Sequence, residues 1–248
     1  MRIVVIIPAR YGSTRFPGKP LARIAGKPMV EHVCEQADSC KEVSDVVVAT
    51  DDDRILDCVQ AFGGKAVMTA SGHSSGTDRI AEAAEILHLK DEDIVVNVQG
   101  DQPLLPPLIL DEMIAPFEED EGLPMTTLMY RIRDPEEVDN PNHVKVVTDT
   151  QGFALYFSRH PIPFYRDPGS NPVHYKHLGL YAYRTAFLKT FTRLPEGRLE
   201  AAEKLEQLRV LEHGYRIRVV ETDFDSPEVD TPEDVKRVET ILAQTPIS

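Results

Sequence analysis

Apolar positions along the chain gather in short continuous runs, separated by stretches with helical spacing. Arg2 to Ile7 is a β-branched run, apolar after its first residue, the pattern of a strand covered on both faces. The pattern then changes: Pro28 suits the first turn of a helix, and Met29, Val30, Val33 and Ala37 recur at helical intervals. "DVVVAT" (45–50) predicts a second buried strand. Asp51 to Asp53 can cap the next helix, which carries Ile55, Leu56 and Val59 and ends at Gly63-Gly64. "KAVMTA" predicts a third strand, a helix follows from about Arg79 to Leu87, and "DIVVNVQGD" predicts a fourth strand. This alternation predicts an α/β fold with a doubly wound, mostly parallel sheet.

The second half is less regular. "HVKVVTDTQGFALYFSR" predicts two antiparallel strands about the turn Asp149 to Gly152, a smaller hairpin inserted into or beside the main sheet. Residues 160–175 are rich in Pro, Gly, Asn and Asp and predict a mobile loop. One helix is expected over 199–213, with Ala202, Leu205, Leu208 and Leu211 at a packing spacing. Another opens at "DTPEDV", with Thr231 as N-cap, Pro232 at the first helical position and Asp234 completing a capping box. Without an internal repeat, a low-complexity tract or a linker-like stretch, residues 1–248 are expected to form a single α/β domain.

Charge sharpens this picture. The net charge is −14, yet Arg2, Arg10, Arg15, Lys19, Arg23 and Lys27 all precede the first acid, Glu31, so the remainder carries about −20. Such a balance excludes a nucleic-acid partner and an anionic membrane surface. An island of fixed cations on a loop suits a small anion, phosphate first. The apolar start, Ile3 to Ile7, is too short for a signal sequence, and no targeting or membrane segment is expected. Cys34, Cys40 and Cys58 are odd in number and lack metal-ligand spacing, as for reduced thiols in a cytoplasm.

The cationic loop "IPARYGSTRFPGKPL" (7–21) lies between a buried strand and a helix, where a doubly wound fold binds ligands. Gly12 and Gly18 let the backbone approach a phosphate, free amides form an anion nest, and Arg10, Arg15 and Lys19 add full charges. The loop is neither a Walker A nor a G-x-G-x-x-G motif; its plain alternative is a basic surface turn. In "VNVQGDQPLL", Asp101 follows a buried strand and a glycine, at the edge where the loop also lies; a turn-forming Asp is the plain alternative. Asp230 comes just before the last helix, where a carboxylate favoured by the helix dipole is the plain reading. Two hard oxygen ligands facing a phosphate loop would also meet the needs of Mg²⁺, substrate phosphates supplying the other ligands.

Seven motifs in order, "IPARYGSTRFPGKPL", "SGTDR", "VQGDQP", "ALYFSR", "HLGLYAY", "AEKLEQLRVLE" and "VDTPEDV", resemble the 3-deoxy-manno-octulosonate (Kdo) cytidylyltransferases, from about residue 3 to residue 240. The resemblance implies a fold like that of the nucleotide-diphospho-sugar transferases, with a sugar-binding and dimerisation subregion at about 130–190. It implies Mg²⁺-dependent transfer of CMP from CTP to the anomeric hydroxyl of an eight-carbon sugar acid, with release of pyrophosphate, in lipopolysaccharide assembly. Carried onto matching positions, it implies Arg10, Arg15 and Lys19 on the CTP triphosphate, with Lys19, Arg15 and Asp101 in catalysis. It implies Asp101 and Asp230 as metal ligands, Ser75, Arg79 and Gln99 at the nucleotide, and Gln99, Arg159, His177, Tyr183 and Gln207 around the sugar acid. A homodimer is implied in the same way.

One position departs from the pattern. Many members read Gly-Asp-Glu-Pro where this chain has Gly100-Asp101-Gln102-Pro103; with "YKHLGLYAY" and "FDSPEVD", that form looks more like a branch that activates the 8-amino analogue of Kdo. Both substrates stand open at this point. Three other readings are a sugar-1-phosphate nucleotidylyltransferase, whose G-x-G-T-R signature "YGSTRFPGK" does not fit; a glycosyltransferase, whose Asp-x-Asp motif should follow a strand; and a non-catalytic nucleotide-binding regulator.

Overall fold

The apolar run near the N-terminus becomes strand β1 (Ile3–Ala9), in which Val4 to Ile7 have no exposed surface. The structure, a computed structural model, describes residues 1–12, 16–167 and 172–244. The chain divides into two compact units, Met1–Asp111 with Ser226–Ser248, and Glu112–Asp225.

The first unit continues with α1 (Met29–Asp38), β2 (Asp45–Thr50), α2 (Asp53–Ala61), β3 (Lys65–Met68), α3 (Gly76–Ile86) and β4 (Ile94–Asn97). Its strands lie in the order β4-β1-β2-β3 and are all parallel, with Ile3 opposite Ile94, Val4 opposite Asp45 and Val47 opposite Lys65. Parallel strands end on one edge, so the loops at their carboxyl ends share a rim. The expected caps are present. Asp52 accepts from the Arg54 amide at 3.0 Å to start α2, and Gly63, at φ +82°, ends it. Helix α3 begins at Gly76 rather than near Arg79, because Ser75 Oγ accepts from the Asp78 amide at 3.1 Å and supplies a cap three residues earlier. The closing helix, Pro232–Gln244, starts at the expected capping box, with Asp234 accepting from the Thr231 amide at 2.9 Å and donating its own amide to Thr231 Oγ1 at 3.4 Å. Val238 of that helix joins Ile24, Met29 and Val229 in a buried cluster.

The second unit holds β5 (Met125–Arg131), β6 (Lys145–Thr148), β7 (Ala154–Ser158), β8 (Tyr175–Arg184), α4 (Thr185–Phe191), α5 (Arg198–Glu203), α6 (Gln207–Glu212) and β9 (Arg218–Thr222). Strand β8 runs antiparallel to β5 and meets β6 at Lys176–Lys145, while β9 runs parallel to β5. The hairpin β6–β7 is the expected antiparallel insertion, its turn held by Asp149 Oδ1, which accepts from the amides of Gln151 and Phe153 at 2.8 and 2.9 Å. The fold class is therefore α/β, a parallel sheet with an antiparallel hairpin, as the apolar pattern predicts.

The helix expected over 199–213 is two helices. Lys204 adopts the left-handed conformation (φ +53°), and the carboxylate of Glu203 is drawn to Ser158 Oγ (2.8 Å) and the Arg159 amide (2.9 Å), which ends α5 and leaves Leu205 buried. The two pieces are tied by a bidentate pair between Arg209 and Glu200 (2.7 and 2.6 Å), both side chains largely buried. Glu212 Oε2 also caps α5, accepting from the amides of Leu199 at 2.9 Å and Glu200 at 3.3 Å. A Cβ on Gly197 would collide with that carboxylate.

Gly197→Ala is accordingly expected to push Glu212 off the helix start, losing about 1 kcal/mol as for a deleted cap and lowering Tm by about 2–4 °C. Gly72→Ala, whose Cβ would meet nothing within 4 Å, is the control. Thermal unfolding of both variants checks this; an unchanged Tm for Gly197→Ala would contradict it.

Candidate active site

In the first unit, the rim beyond the parallel strands brings together segments far apart in sequence. Gly100 lies close to β1, so that a Cβ there would sit 3.3 Å from the carbonyl oxygen of Pro8. The carbonyl of the next residue, Asp101, accepts from the amide of Val229 at 2.9 Å, which brings the 226–231 segment alongside. Lys19 arrives on a short 3₁₀ turn, Lys19–Leu21, preceded by Gly18 at φ +72°. Its ammonium donates to Asp101 Oδ2 at 2.6 Å and reaches Asp230 Oδ1 at 3.4 Å. The side chains are partly enclosed, 16% exposed for Lys19, 22% for Asp101 and 34% for Asp230. Asp230 is not the helix cap; that place is taken by Thr231 and Asp234.

Asp101 Oδ1 is buried and has no hydrogen-bond partner among the described residues. A carboxylate oxygen in that condition is missing a donor or a cation. Beside Asp230 it makes a pair of hard oxygen atoms that fits a divalent cation taking its other ligands from a bound phosphate. Among the described residues, no group of three or more His, Cys, Asp or Glu side chains could hold a metal by itself.

The other residues expected around the nucleotide have varied settings. Arg10 is exposed at the end of β1, and Arg15 lies outside the described residues. Gln99 is half-buried, and its amide donates to Asn97 Oδ1 at 3.3 Å. Ser75 spends its hydroxyl oxygen on the α3 cap. Arg79 is 5% exposed, paired with Asp51 at 3.1 Å and donating to Thr69 Oγ1 at 2.5 Å, so its guanidinium ties helix α3 to the ends of β2 and β3.

Residues expected around the sugar acid, Gln99 apart, belong to the second unit. The Arg159 guanidinium is spread over three backbone carbonyls, those of Glu203 (2.7 Å), Pro141 (2.9 Å) and Lys204 (3.3 Å). His177 lies in an aromatic setting, with ring centroids 5.1 Å from Phe157 and 5.2 Å from Tyr181. Thr127 Oγ1 gives its one proton to the Leu180 carbonyl at 2.6 Å, so at 2.8 Å it accepts from His177 Nε2. That places the ring proton on Nε2 and a lone pair on Nδ1. Burial holds the imidazole pKa down at about 3, so the ring is neutral at physiological pH. Tyr183 is 1% exposed, its ring stacked on Tyr181 (centroids 5.9 Å apart) and tilted against Phe191 (6.1 Å). Gln207, at the start of α6, is 4% exposed with Nε2 buried and unpartnered among the described residues.

Two residues not among the expected site residues also bear on the cationic loop, Tyr11 from within it and Arg54 from α2. Tyr11 places its ring against Gly18, and Arg54 covers that ring. Tyr11 lies in plain view within the loop motif. Arg54, 43 positions away on α2, carries no signal in the sequence beyond its closeness to the Asp52 cap.

The chain is similar over nearly its whole length to proteins of known activity. A family model described as "Cytidylyltransferase" matches residues 4–217. A 3-deoxy-manno-octulosonate cytidylyltransferase of Syntrophus aciditrophicus (strain SB) is 60% identical over 241 residues, 97% of each chain. An 8-amino-3,8-dideoxy-manno-octulosonate cytidylyltransferase of Shewanella sediminis (strain HAW-EB3) is 57% identical over 244 residues, 98% of this chain and 99% of that one. A solved structure of CMP:2-keto-3-deoxy-manno-octonic acid synthetase complexed with CTP superposes with a TM-score of 0.93 at 45% identity, covering 98% of this chain and 99% of the other. With the cationic loop, the two acids and the parallel-sheet rim in place, this chain belongs to the cytidylyltransferase family.

Proposed function

We propose that this chain transfers CMP from CTP to the anomeric hydroxyl of 3-deoxy-manno-octulosonate or its 8-amino analogue, releasing pyrophosphate. The observation that carries the reading is the Lys19 ammonium set against Asp101 and Asp230 at the end of a glycine-bearing cationic loop. Cytidylyl transfer brings two anions together, and its barrier falls chiefly through positioning and electrostatics. Lys19, Arg10 and Arg15 would hold the triphosphate, Lys19 taking up the charge that grows on the departing pyrophosphate. Gln99 would bind a nucleotide or sugar hydroxyl. Asp101 and Asp230 would hold Mg²⁺, which when bound neutralises phosphate charge and lowers the pKa of the attacking hydroxyl. The thiols are poor nucleophiles. Burial raises Cys34 to about 12, burial with the Asp111 hydrogen bond raises Cys40 to about 11, and burial raises Cys58 as well.

In the sugar-acid set, the geometry favours neutral recognition over ion pairing. Arg159 is spent on carbonyls, and the neutral His177 ring offers an Nδ1 lone pair that can accept from a substrate hydroxyl. Gln207 Nε2 supplies an uncommitted donor for an oxygen of the acid. Tyr183 supports the site from the core. Three free cysteines and the lipopolysaccharide role implied by the resemblance support a cytoplasmic setting, and the resemblance supports a homodimer. Among the described residues, no helix is long and apolar enough to cross a membrane.

Pyrophosphate release from CTP with Mg²⁺ tests the reading when Kdo, 8-amino-Kdo, a sialic acid and a sugar 1-phosphate are offered separately. Turnover is expected with the first two only. Release with a sugar 1-phosphate and neither octulosonate would overturn it.

The neutral His177 sets a pH dependence. Its folded pKa of about 3 lies below the ordinary 6.5, so the unfolded chain takes up the proton first. The stabilisation is complete above about pH 6.5 and declines as pH falls towards 3, by at most about 1.4 kcal/mol per pH unit. In urea unfolding at pH 7, 6, 5 and 4, His177→Gln should show a shallower acid slope than the wild type. Equal slopes would contradict the neutral, half-buried ring.

A further inference from the structure

The cationic loop is braced by one of its own residues, Tyr11, and by Arg54 from outside the motif. Gly18 donates its amide to the Tyr11 carbonyl at 2.9 Å, and a Cβ on Gly18 would lie only 3.1 and 3.2 Å from two Tyr11 ring carbons and 3.3 Å from its hydroxyl oxygen, so the phenol rests directly on the Gly18 backbone. Gly18 holds φ +72°, and the turn carrying Lys19 begins at the next residue, with Leu21 donating back to the Gly18 carbonyl at 2.9 Å. The Tyr11 ring is in turn covered by the Arg54 guanidinium, whose carbon stands 3.3 Å from the ring centroid. Arg54 is itself held flat: Nε and Nη2 meet the two carboxylate oxygens of Asp52 at 2.9 and 2.6 Å. Asp52 is anchored in turn, its carboxylate capping α2 and its amide donating to Thr50 Oγ1 at 3.2 Å at the end of β2. A continuous run of contacts thus leads from the β2–α2 junction through Arg54, Tyr11 and Gly18 to Lys19.

We propose that Arg54 is a positioning residue for the transfer reaction: stacked on Tyr11, it fixes the Gly18 turn so that the Lys19 ammonium is presented to Asp101 and Asp230. This rests on the function proposed above. A direct phosphate contact would be a poor use of Arg54, because the guanidinium edge facing Asp52 is already matched by that carboxylate. Stacking of the Tyr11 ring on the cytosine is equally disfavoured on the face that Arg54 covers. A planar guanidinium is suited to lie flat on a ring while bonded edge-on to a carboxylate; an ammonium cannot do both.

The test combines kinetics with a readout that needs no substrate. Arg54→Ala and Tyr11→Leu should each lower kcat with CTP and Kdo about tenfold, with Tm within about 2 °C of the wild type. The double variant should lose no more than either single, because the two residues act as one unit. Tyr11→Phe should keep most activity, since the ring and not its hydroxyl meets Arg54, whereas Arg54→Lys should not restore the rate. In the ligand-free protein, Lys19 acylation by acetic anhydride, read by mass spectrometry against exposed Lys65, should rise several-fold in Arg54→Ala and Tyr11→Leu but not in Tyr11→Phe. Multiplicative losses in the double variant, rescue by Arg54→Lys, a fall in Tm that tracks the loss of rate, or unchanged Lys19 acylation would each overturn the proposal. If the wild type releases no pyrophosphate, the functional reading fails, while the acylation result still decides whether Arg54 positions Lys19.

Discussion

The contact on which the site depends is one ammonium held against two carboxylates. Lys19, Asp101 and Asp230 come from the first loop, the end of the fourth parallel strand and the segment before the last helix, and they meet at 2.6 and 3.4 Å. The seat carries two negative charges against one positive, so it is left with an excess of negative charge and a buried oxygen, Asp101 Oδ1, lacking a partner among the described residues. Such a seat suits a further cation, and that cation would in turn free Lys19 for phosphate. On the proposed reading, nucleotide and metal therefore help one another in, since each meets a charge that the other leaves uncompensated.

The parallel sheet makes this meeting possible. Buried strands with all-apolar faces align with their ends on one rim, and the loop at the end of each strand is exposed and free to carry charge. Small structural choices then decide where those loops go. Gly100 passes close to the Pro8 carbonyl, Val229 bonds to the Asp101 carbonyl, and the Thr231–Asp234 box starts the last helix just beyond Asp230. The second unit works differently: its polar residues are largely consumed by structure, as with Arg159 on three carbonyls and Arg209 on Glu200. It leaves one buried neutral donor, Gln207 Nε2, without a partner among the described residues.

Much of the first unit was legible from the chain because its signals are local. Continuous β-branched runs, the Asp52 and Ser75 caps and the "DTPED" box each act within a few residues, and those elements stand close to where the pattern puts them. The helix over 199–213 was misjudged because its interruption is tertiary: Ser158 and Arg159, 45 and 44 residues earlier, draw Glu203 away, and periodicity cannot register that. The site was legible in part. Charge distribution alone singled out the loop of Lys19, and the motifs singled out the acids. Burial was not readable, which is why Tyr183 and Arg79, both polar and both in motifs, proved to be enclosed. The Arg54–Tyr11 stack joins residues far apart on the chain through the flat face of a ring, and nothing in either local sequence announces it.

The central claim is that Lys19 is the resident counter-charge of the two acids. Mn²⁺ binding, followed by electron paramagnetic resonance of the free ion without nucleotide, measures this for the wild type, Lys19→Gln, Asp101→Asn and Asp230→Asn. Tighter Mn²⁺ binding is predicted in Lys19→Gln, because a competing cation is gone, and weaker binding in both Asn variants. Equal or weaker binding in Lys19→Gln, or unaltered binding in Asp101→Asn, would contradict the claim.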